Sequence, residues 1–215
     1  MIVEEIMQTQ VHTLNPNDTI ASALQLCRDQ KIRHIPIVDN NQLLVGLVTD
    51  RDIKDATPSI LQKGTGEEEL NKPLDLIMEK NVVTGHPLDF VEDVAATFYE
   101  YDISCMPVIQ NGELIGIVTE TDVLHTFVEL TGSHQPGSRI EVKVPNKPGM
   151  LFEVVNVLNK RRANIHSVLV YPDKNDEKFK IIVFRVRMMN PIGVIDDLKK
   201  EGHIVLWPNM PGVSS

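Results

Sequence analysis

The chain has 215 residues, 42% hydrophobic and 24% charged, an ordinary composition for one or two globular domains with a normal core. No apolar run approaches the roughly 20 residues of a membrane span, and the acidic start, MIVEEIM, lacks the basic region of a signal peptide, so a cytoplasmic protein without membrane attachment is expected. The net charge of −9 is unevenly divided, with 8 Lys/Arg and 22 Asp/Glu in residues 1–136 against 13 and 8 in residues 137–215; an acidic body repels nucleic acid, and the basic remainder lacks an Arg-rich stripe with interleaved aromatics.

The first 130 residues say one thing twice. Ile6-Met7 returns as Ile77-Met78, Pro16 as Pro87, Asp18 as Asp89, Ile32 as Ile103 and Pro36 as Pro107, each 71 positions on. One residue is then lost, so Gly46/Gly116, Thr49/Thr119 and Asp52/Asp122 lie 70 apart. Such a repeat predicts two copies of one structural unit, packed as a pseudo-symmetric pair with a ligand groove between them.

In chain order each unit reads strand, helix, strand, strand, helix. The first helix begins at Asp18 in one copy and at Asp89 in the other, both read as N-caps, with Glu92 completing a capping box. Ile20, Ala23, Leu24 and Cys27 form its apolar face, which makes Cys27 a core thiol. Neither Cys27 nor Cys105 has metal spacing. Ile35 to Val38 with Leu44 to Val48, and Met106 to Ile109 with Leu114 to Val118, are predicted hairpins around Asp39-Asn40-Asn41 and Asn111-Gly112. Asp50 and Glu120 open the last helices. Residues 55–72 read as an exposed connection, and its Gly64-Thr65-Gly66 lacks phosphate-loop spacing.

Thr131 to Ser138 is a linker by composition, short enough to leave little slack. Beyond it Arg139 to Val144 alternates as a half-buried strand, Pro145 to Gly149 is a loop, and Leu151, Val154, Val155 and Leu158 mark a helix. Asn164 to Val170 and Phe179 to Val186 read as strands around a polar turn. A second helix carries Ile192, Ile195 and Leu198 and ends at Gly202, before a last strand from Ile204 to Trp207. The order is βαββαβ, a small sheet with both helices on one face. Lys160-Arg161-Arg162 reads as a solvated helix end, where cations suit the dipole.

Residues 1–130 resemble a tandem pair of CBS domains. The resemblance rests on Ile35-Pro36-Ile37-Val38 and Met106-Pro107-Val108-Ile109, and on the junctions Gly46-Leu-Val-Thr49-Asp-Arg-Asp52 and Gly116-Ile-Val-Thr119-Glu-Thr-Asp122. It implies an α+β fold of two βαββα units, 1–65 and 72–130. It also implies an adenosyl nucleotide, AMP, ADP, ATP or S-adenosylmethionine, with Asp52 and Asp122 accepting hydrogen bonds from ribose hydroxyls. A carboxylate suits a vicinal diol, and Thr49 and Thr119 with the free amides at the helix start suit a phosphate. The adenine is expected beside Ile35-Pro36 or Met106-Pro107 and the stretch ending at Thr13 or Thr84. A competing reading makes each Thr-x-x-Asp only a helix cap. Arg51 and the Arg33-His34 pair, replaced by Thr121 and Ser104-Cys105 in the second copy, suggest that the first site suits a polyphosphate. Arg51 paired with its own acidic neighbours is the alternative.

Residues 139–210, after the linker 131–138, resemble an ACT domain, a ferredoxin-like regulatory fold. The marks are Val144-Pro-Asn-Lys-Pro-Gly-Met-Leu151 and Asn164-Ile165. The resemblance implies an amino-acid site at Asn146 and Gly149, with Asn164 reaching across from a neighbouring chain; a plain turn in a dimerisation sheet is the alternative. Two CBS units and one ACT domain without a catalytic domain resemble the regulatory proteins of acetoin utilisation, which implies control of acetoin or butanediol catabolism through a metabolic protein partner. A dimeric scaffold, or a regulatory subunit of another metabolic enzyme, is the alternative. Catalysis is not expected, because the seven histidines are scattered and no nucleophile–base or HExxH spacing occurs; no catalytic cofactor or metal is implied. Both parts offer surfaces to a two-fold partner, so a homodimer is expected.

Overall fold

The computed structural model describes residues 1–57 and 66–208. Residues 58–65 of the expected connection, and residues 209–210 at the end of the expected last domain, lie outside the described residues. The chain forms two units, Met1–Leu124 and His125–Ser215. Among the described residues no helix is long and apolar enough to cross a membrane.

In the first unit the two hairpins form where the apolar runs predicted them. Strands β1 (His34–Val38) and β2 (Leu44–Thr49) pair antiparallel, as do β3 (Cys105–Gln110) and β4 (Glu113–Thr119). Helix α1 (Ile20–Gln30) precedes the first hairpin and α2 (Asp50–Ala56) follows it; α3 (Gly66–Leu70) is a short helix within the expected connection. Helices α4 (Val91–Tyr101) and α5 (Glu120–Thr131) hold the matching places in the second copy. The unit's expected first strand shrinks to one parallel bridge, Leu14 to Ile37 and Gly85 to Val108. That bridge still gives the Pro strands a second neighbour: Leu14 N donates to Pro36 O and Val38 N to Leu14 O. Proline lacks the N–H that a fully paired ladder needs, so contact there is brief.

Asp18 and Asp89 are not the N-caps expected of them. Asp18 Oδ2 accepts from the Asn15 amide at 2.7 Å, and Asp89 Oδ2 from the His86 amide at 2.7 Å. Each carboxylate closes the proline turn before its helix. The cap of α1 is Thr19, which accepts from Ser22 N, and α4 starts after Phe90 with no side-chain cap, so Glu92 completes no capping box. Cys27 is only half-buried; Cys105 is the buried thiol, and burial pushes it up to about 12.

The two copies exchange their first turns. Val3, Ile6 and Met7 pack in the second core with Val94, Phe98 and Val118, while Leu74, Ile77 and Met78 pack in the first with Ile20, Ile35 and Val48. Backbone pairs fix the exchange in both directions. Gln8 N donates to Ile117 O at 2.9 Å and Ile117 N to Gln8 O at 3.0 Å; Leu47 and Glu79 exchange the same two bonds at 2.9 Å. Glycine makes the close approach possible. A Cβ on Gly46 would meet Met78 Sδ at 2.6 Å, and one on Gly116 would meet Met7 Sδ at 2.7 Å.

In the second unit β5 (Ser138–Pro145), β6 (Ile165–Pro172), β7 (Phe179–Val186) and β8 (Ile204–Trp207) form one sheet in the order β6-β7-β5-β8. Helices α6 (Met150–Lys160) and α7 (Ile192–Lys200) supply the connections of a βαββαβ fold. Ile140, Val142 and Val144 alternate inward along β5 and meet Phe184, Val154 and Leu198 in one buried cluster. The basic run at the end of α6 is not simply solvated: Arg161 grips Asp197 with Nε at 2.6 Å and a second nitrogen at 3.1 Å, and Lys160 pairs with Glu201. The linker is held too. Ser167 Oγ donates to Thr131 O, and Arg185 donates to Ser133 O and Gln135 O.

Gly46→Ala should destabilise the protein by about 1–3 kcal/mol through overpacking against Met78 and the Glu79 carbonyl, which a Cβ would meet at 3.1 Å. Urea unfolding measures this; a loss below about 0.5 kcal/mol, the range of ordinary surface substitutions, would contradict the close approach.

Candidate functional site

Each Thr-x-x-Asp sits where a strand turns into a helix, and the turn is built by the motif itself. Thr49 N and Thr49 Oγ1 both donate to Asp52 Oδ2 at 2.7 Å, and Asp52 N donates back to Thr49 Oγ1 at 3.3 Å. The second copy repeats this, with Thr119 N and Oγ1 to Asp122 Oδ2 at 2.8 and 2.6 Å. The motif is therefore a reciprocal capping box. It uses one carboxylate oxygen, Oδ2 in each copy, and leaves Oδ1 outside the capping box. Among the described residues Asp52 Oδ1 accepts no hydrogen bond, whereas Asp122 Oδ1 accepts from Gln8 Nε2 at 3.2 Å.

Both motifs open onto clefts made from the two copies together. The first cleft, about 530 Å³, joins Thr49, Arg51 and Asp52 to Glu79, Asn81 and Ser104. The second, about 400 Å³, joins Thr119, Thr121 and Asp122 to Gln8, Gln10 and Lys31. Both volumes fall in the range of small-molecule sites. The exchange of first turns creates this sharing, since Glu79 is bonded to the strand of one copy and Gln8 to that of the other. A third cavity, about 500 Å³ and lined by residues such as Leu24, Cys27 and Ile53, contains no Thr-x-x-Asp residue.

The remaining residues singled out from the sequence are placed differently. Ile35 and Met106 are buried in the two cores, and Pro36 and Pro107 are buried beside them. None of these four lines either cleft, because their strands are covered on both faces. Thr84 lines a smaller cavity with Asp89, Thr97 and Met106, and Thr13 stands half-buried before the Leu14 bridge. In the second unit Gly149 has φ of +89°, a conformation that favours glycine, directly before α6. Asn146 is bonded to Glu177 O and Lys178 O. Asn164 accepts from Arg187 N through its carbonyl. Register puts Asn146 beyond the Pro145–Phe179 end of the sheet and Asn164 at the Ser138–Val186 end. One chain therefore does not bring them together.

Charge divides the clefts in a way the motif alone does not reveal. Arg33 and His34 line both, so they do not distinguish the first. The first cleft sets Asp50, Asp52, Glu79, Asp102 and Glu120 against Arg33 and Arg51. The second sets Lys31 and Arg33 against Asp122. The expectation that the first site is the more positive is thus overturned. Its neighbours Glu79, Asp102 and Glu120 come from the other copy, out of sight of the motif. The ion pair of Asp50 with Lys54 at 2.5 Å holds the Asp50 carboxyl below its usual value. Between the clefts His34 Nε2 meets Ser104 Oγ at 2.8 Å. Burial, then the Arg33 charge, pulls His34 below its ordinary value, against the opposing pull of Asp50 and Glu120.

The CBS domain model matches residues 3–59 and 74–129, and the ACT domain model matches residues 138–203. The chain belongs to the CBS-domain family: it is a tandem CBS pair followed by an ACT domain, both regulatory and non-catalytic in kind. Among solved structures it is similar to a CBS domain pair in complex with 5′-methylthioadenosine and S-adenosyl-L-methionine, at 31% identity and TM-score 0.52 over 63% of this chain and 98% of that one. A putative acetoin utilization protein from Vibrio cholerae shares 29% identity at TM-score 0.53, with the same coverage. A CBS protein in complex with AMP shares 25% identity at TM-score 0.51, over 59% and 96%. A homoserine O-acetyltransferase of Methanococcus vannielii is 36% identical over 127 residues, 59% of this chain and 25% of that enzyme. The chain spans 61% and 47% of two Methanocaldococcus jannaschii relatives.

His34 gives a pH test. Its folded value lies below 6.5, so between the two values the unfolded chain binds more protons. Its full contribution to stability is present above about pH 6.5 and is lost as pH falls toward and through the depressed folded value. Unfolding free energy measured between about pH 7.5 and 5.5 should fall on acidification, and His34→Gln should flatten that slope. An identical slope in the variant would exclude His34 as its source.

Proposed function

We propose that this chain is a non-catalytic regulatory protein that senses an adenosyl nucleotide in the two clefts of its CBS pair. The observation that carries this is the doubled Thr-x-x-Asp lining two clefts, with the capping box taking only one oxygen of each Asp. A carboxylate oxygen outside the box accepts from a ribose hydroxyl, and the adjoining helix start suits a phosphate or other polar tail. The complexes of similar CBS pairs with AMP, S-adenosyl-L-methionine and 5′-methylthioadenosine support the same ligand class. Ile35, Pro36, Met106 and Pro107 act in this reading by holding the cleft walls from within, and Thr13 and Thr84 flank them.

The regulated process is a metabolic one, in the cytoplasm. Similarity to a putative acetoin utilization protein supports control of acetoin or butanediol catabolism. Similarity to part of a homoserine O-acetyltransferase favours a second reading, a regulatory module for an enzyme of amino-acid metabolism. In that reading the ACT domain senses an amino acid at Asn146 and Gly149, with Asn164 supplied by a second copy. A homodimer fits both readings. Edge strand β6 exposes Val168, Leu169, Val170 and Tyr171, and unpaired edges with apolar side chains favour pairing with a copy.

Asp52→Asn and Asp122→Asn keep an oxygen for the capping box and remove the ribose acceptor. Each should abolish one of two binding events for adenosine in calorimetric titration, at a cost of about 1.5–3 kcal/mol for a charge-assisted hydrogen bond. Unchanged binding in the double variant, with helical circular dichroism intact, would defeat the assignment. Light scattering at micromolar concentration should give twice the 24.2 kDa chain mass; a monomer mass would remove the dimer.

A further inference from the structure

The two clefts are copies of one site, so their walls compare position by position. Leu47 in the first matches Ile117 in the second, Thr49 matches Thr119 and Asp52 matches Asp122. The polar wall does not match. Glu79 in the first cleft stands where the second has Gln8, and Asp102 stands where the second has Lys31. Asp102 and Lys31 are structural twins as well as sequence twins. Each follows the long helix of its copy in the left-handed conformation, with φ of +52° and +55°. Two equivalent positions thus exchange a carboxylate for an amide and a carboxylate for an ammonium. Glu120 adds a further carboxylate to the first cleft alone.

We infer that the clefts are divided by ligand charge: the first takes an adenosyl compound with a cationic tail, a sulfonium bearing an ammonium group, and the second takes an adenosine phosphate. This deepens the adenosyl reading above and rests on it. The adenosine half makes the same demand on both clefts, a ribose acceptor, and both have the capping-box Asp. The tail's charge meets the field of the walls, which differ at Gln8 beside Asp122 against Glu79 and at Lys31 against Asp102. A triphosphate or monophosphate in the first cleft would face five carboxylates against two guanidinium groups, whereas in the second it meets Lys31 and Arg33 against Asp122 alone. A tail with a sulfonium and an ammonium against one carboxylate, as in S-adenosylmethionine, is net cationic and reverses both preferences. Concave walls focus such fields, so the like-charged arrangement is disfavoured before any direct contact forms. Glu79, Asp102 and Glu120 are exposed, so the discrimination is modest at each position and weakens with salt.

The test uses the full chain and four probes in calorimetric titration: adenosine, AMP, ATP and S-adenosylmethionine. Adenosine, which lacks a tail, should bind both clefts and serves as the check on the adenosyl reading itself. The variant Glu79→Gln with Asp102→Lys gives the first cleft the wall of the second. It should weaken S-adenosylmethionine about fivefold or more and add a second ATP site, while Lys31→Asp should weaken ATP by a similar factor and spare S-adenosylmethionine. Raising salt should narrow both differences. If adenosine binds twice but the same variant weakens both charged ligands, or neither responds, division by charge is wrong and the adenosyl reading survives. If no probe binds, both fall together.

Discussion

Everything in the first unit depends on two glycines that let the copies trade their first turns. A Cβ on Gly46 or Gly116 would press on Met78 or Met7 and come within 3.1 Å of the Glu79 or Gln8 carbonyl. The exchange puts Leu74 and Met78 in the core built by the earlier copy, and Val3 and Met7 in the core built by the later one. Neither hairpin with its helices has a complete core without the other copy. A two-stranded hairpin has too little buried surface to stand alone, and the trade lets each repeat supply part of its twin's missing layer. The clefts follow from the same fact. Their walls are joined by the Leu47–Glu79 and Gln8–Ile117 backbone pairs, so a ligand there touches both copies at once.

The motif aspartates divide their two oxygens. One oxygen of each is committed to starting a helix, through bonds of 2.6–2.8 Å to a threonine amide and hydroxyl. The cap and ligand readings of Thr-x-x-Asp are therefore not rivals. The cap fixes the carboxylate's position and leaves its second oxygen outside the box, so that the fold itself can hold a binding group ready. The copies differ in that readiness. Gln8 already donates to Asp122, while its counterpart Glu79 turns to the Asn81 amide instead. A ligand reaching Asp122 must compete with an amide; one reaching Asp52 need not.

Most of the architecture was legible because it is local. Alternation along β5, the Asn111-Gly112 turn and the apolar spacing of α6 each state their structure within a dozen residues. What escaped was set by distant partners. Asp18 has the right type and place for a helix cap, yet the Asn15 amide freed by the proline turn lies nearer to hand. The expected first strands reduce to single bridges at Leu14 and Gly85, because the neighbouring proline strand offers them little to bond. The adenine is expected beside the hydrophobic-x-Pro strands, whose side chains at Ile35, Pro36, Met106 and Pro107 are themselves buried. The polarity of the first cleft was misjudged for the same reason: Arg51 is visible beside Asp52, but Glu79 and Asp102 arrive from the other copy. The doubled spacing did hold the missing signal, since aligning position 8 with 79 and 31 with 102 shows the change of charge directly.

The segment Thr131 to Ser138 has the composition of a linker, yet Thr131, Ser133, Gln135 and Ser138 are each bonded to residues of the second unit's sheet or its end. Helix α5 continues as far as Thr131, whose carbonyl Ser167 holds; Arg185 takes the carbonyls of Ser133 and Gln135; Ser138 begins a strand and bonds to Met188 through its hydroxyl. A protease must unwind about ten residues of chain into its cleft, and exposed glycine-rich tips are where that usually succeeds. Here the carbonyls it would need to recruit are already engaged, and local opening must first strip them from a guanidinium group. Composition would nominate this stretch as the cutting point between domains, whereas its hydrogen bonds make it part of a folded body that resists being nicked.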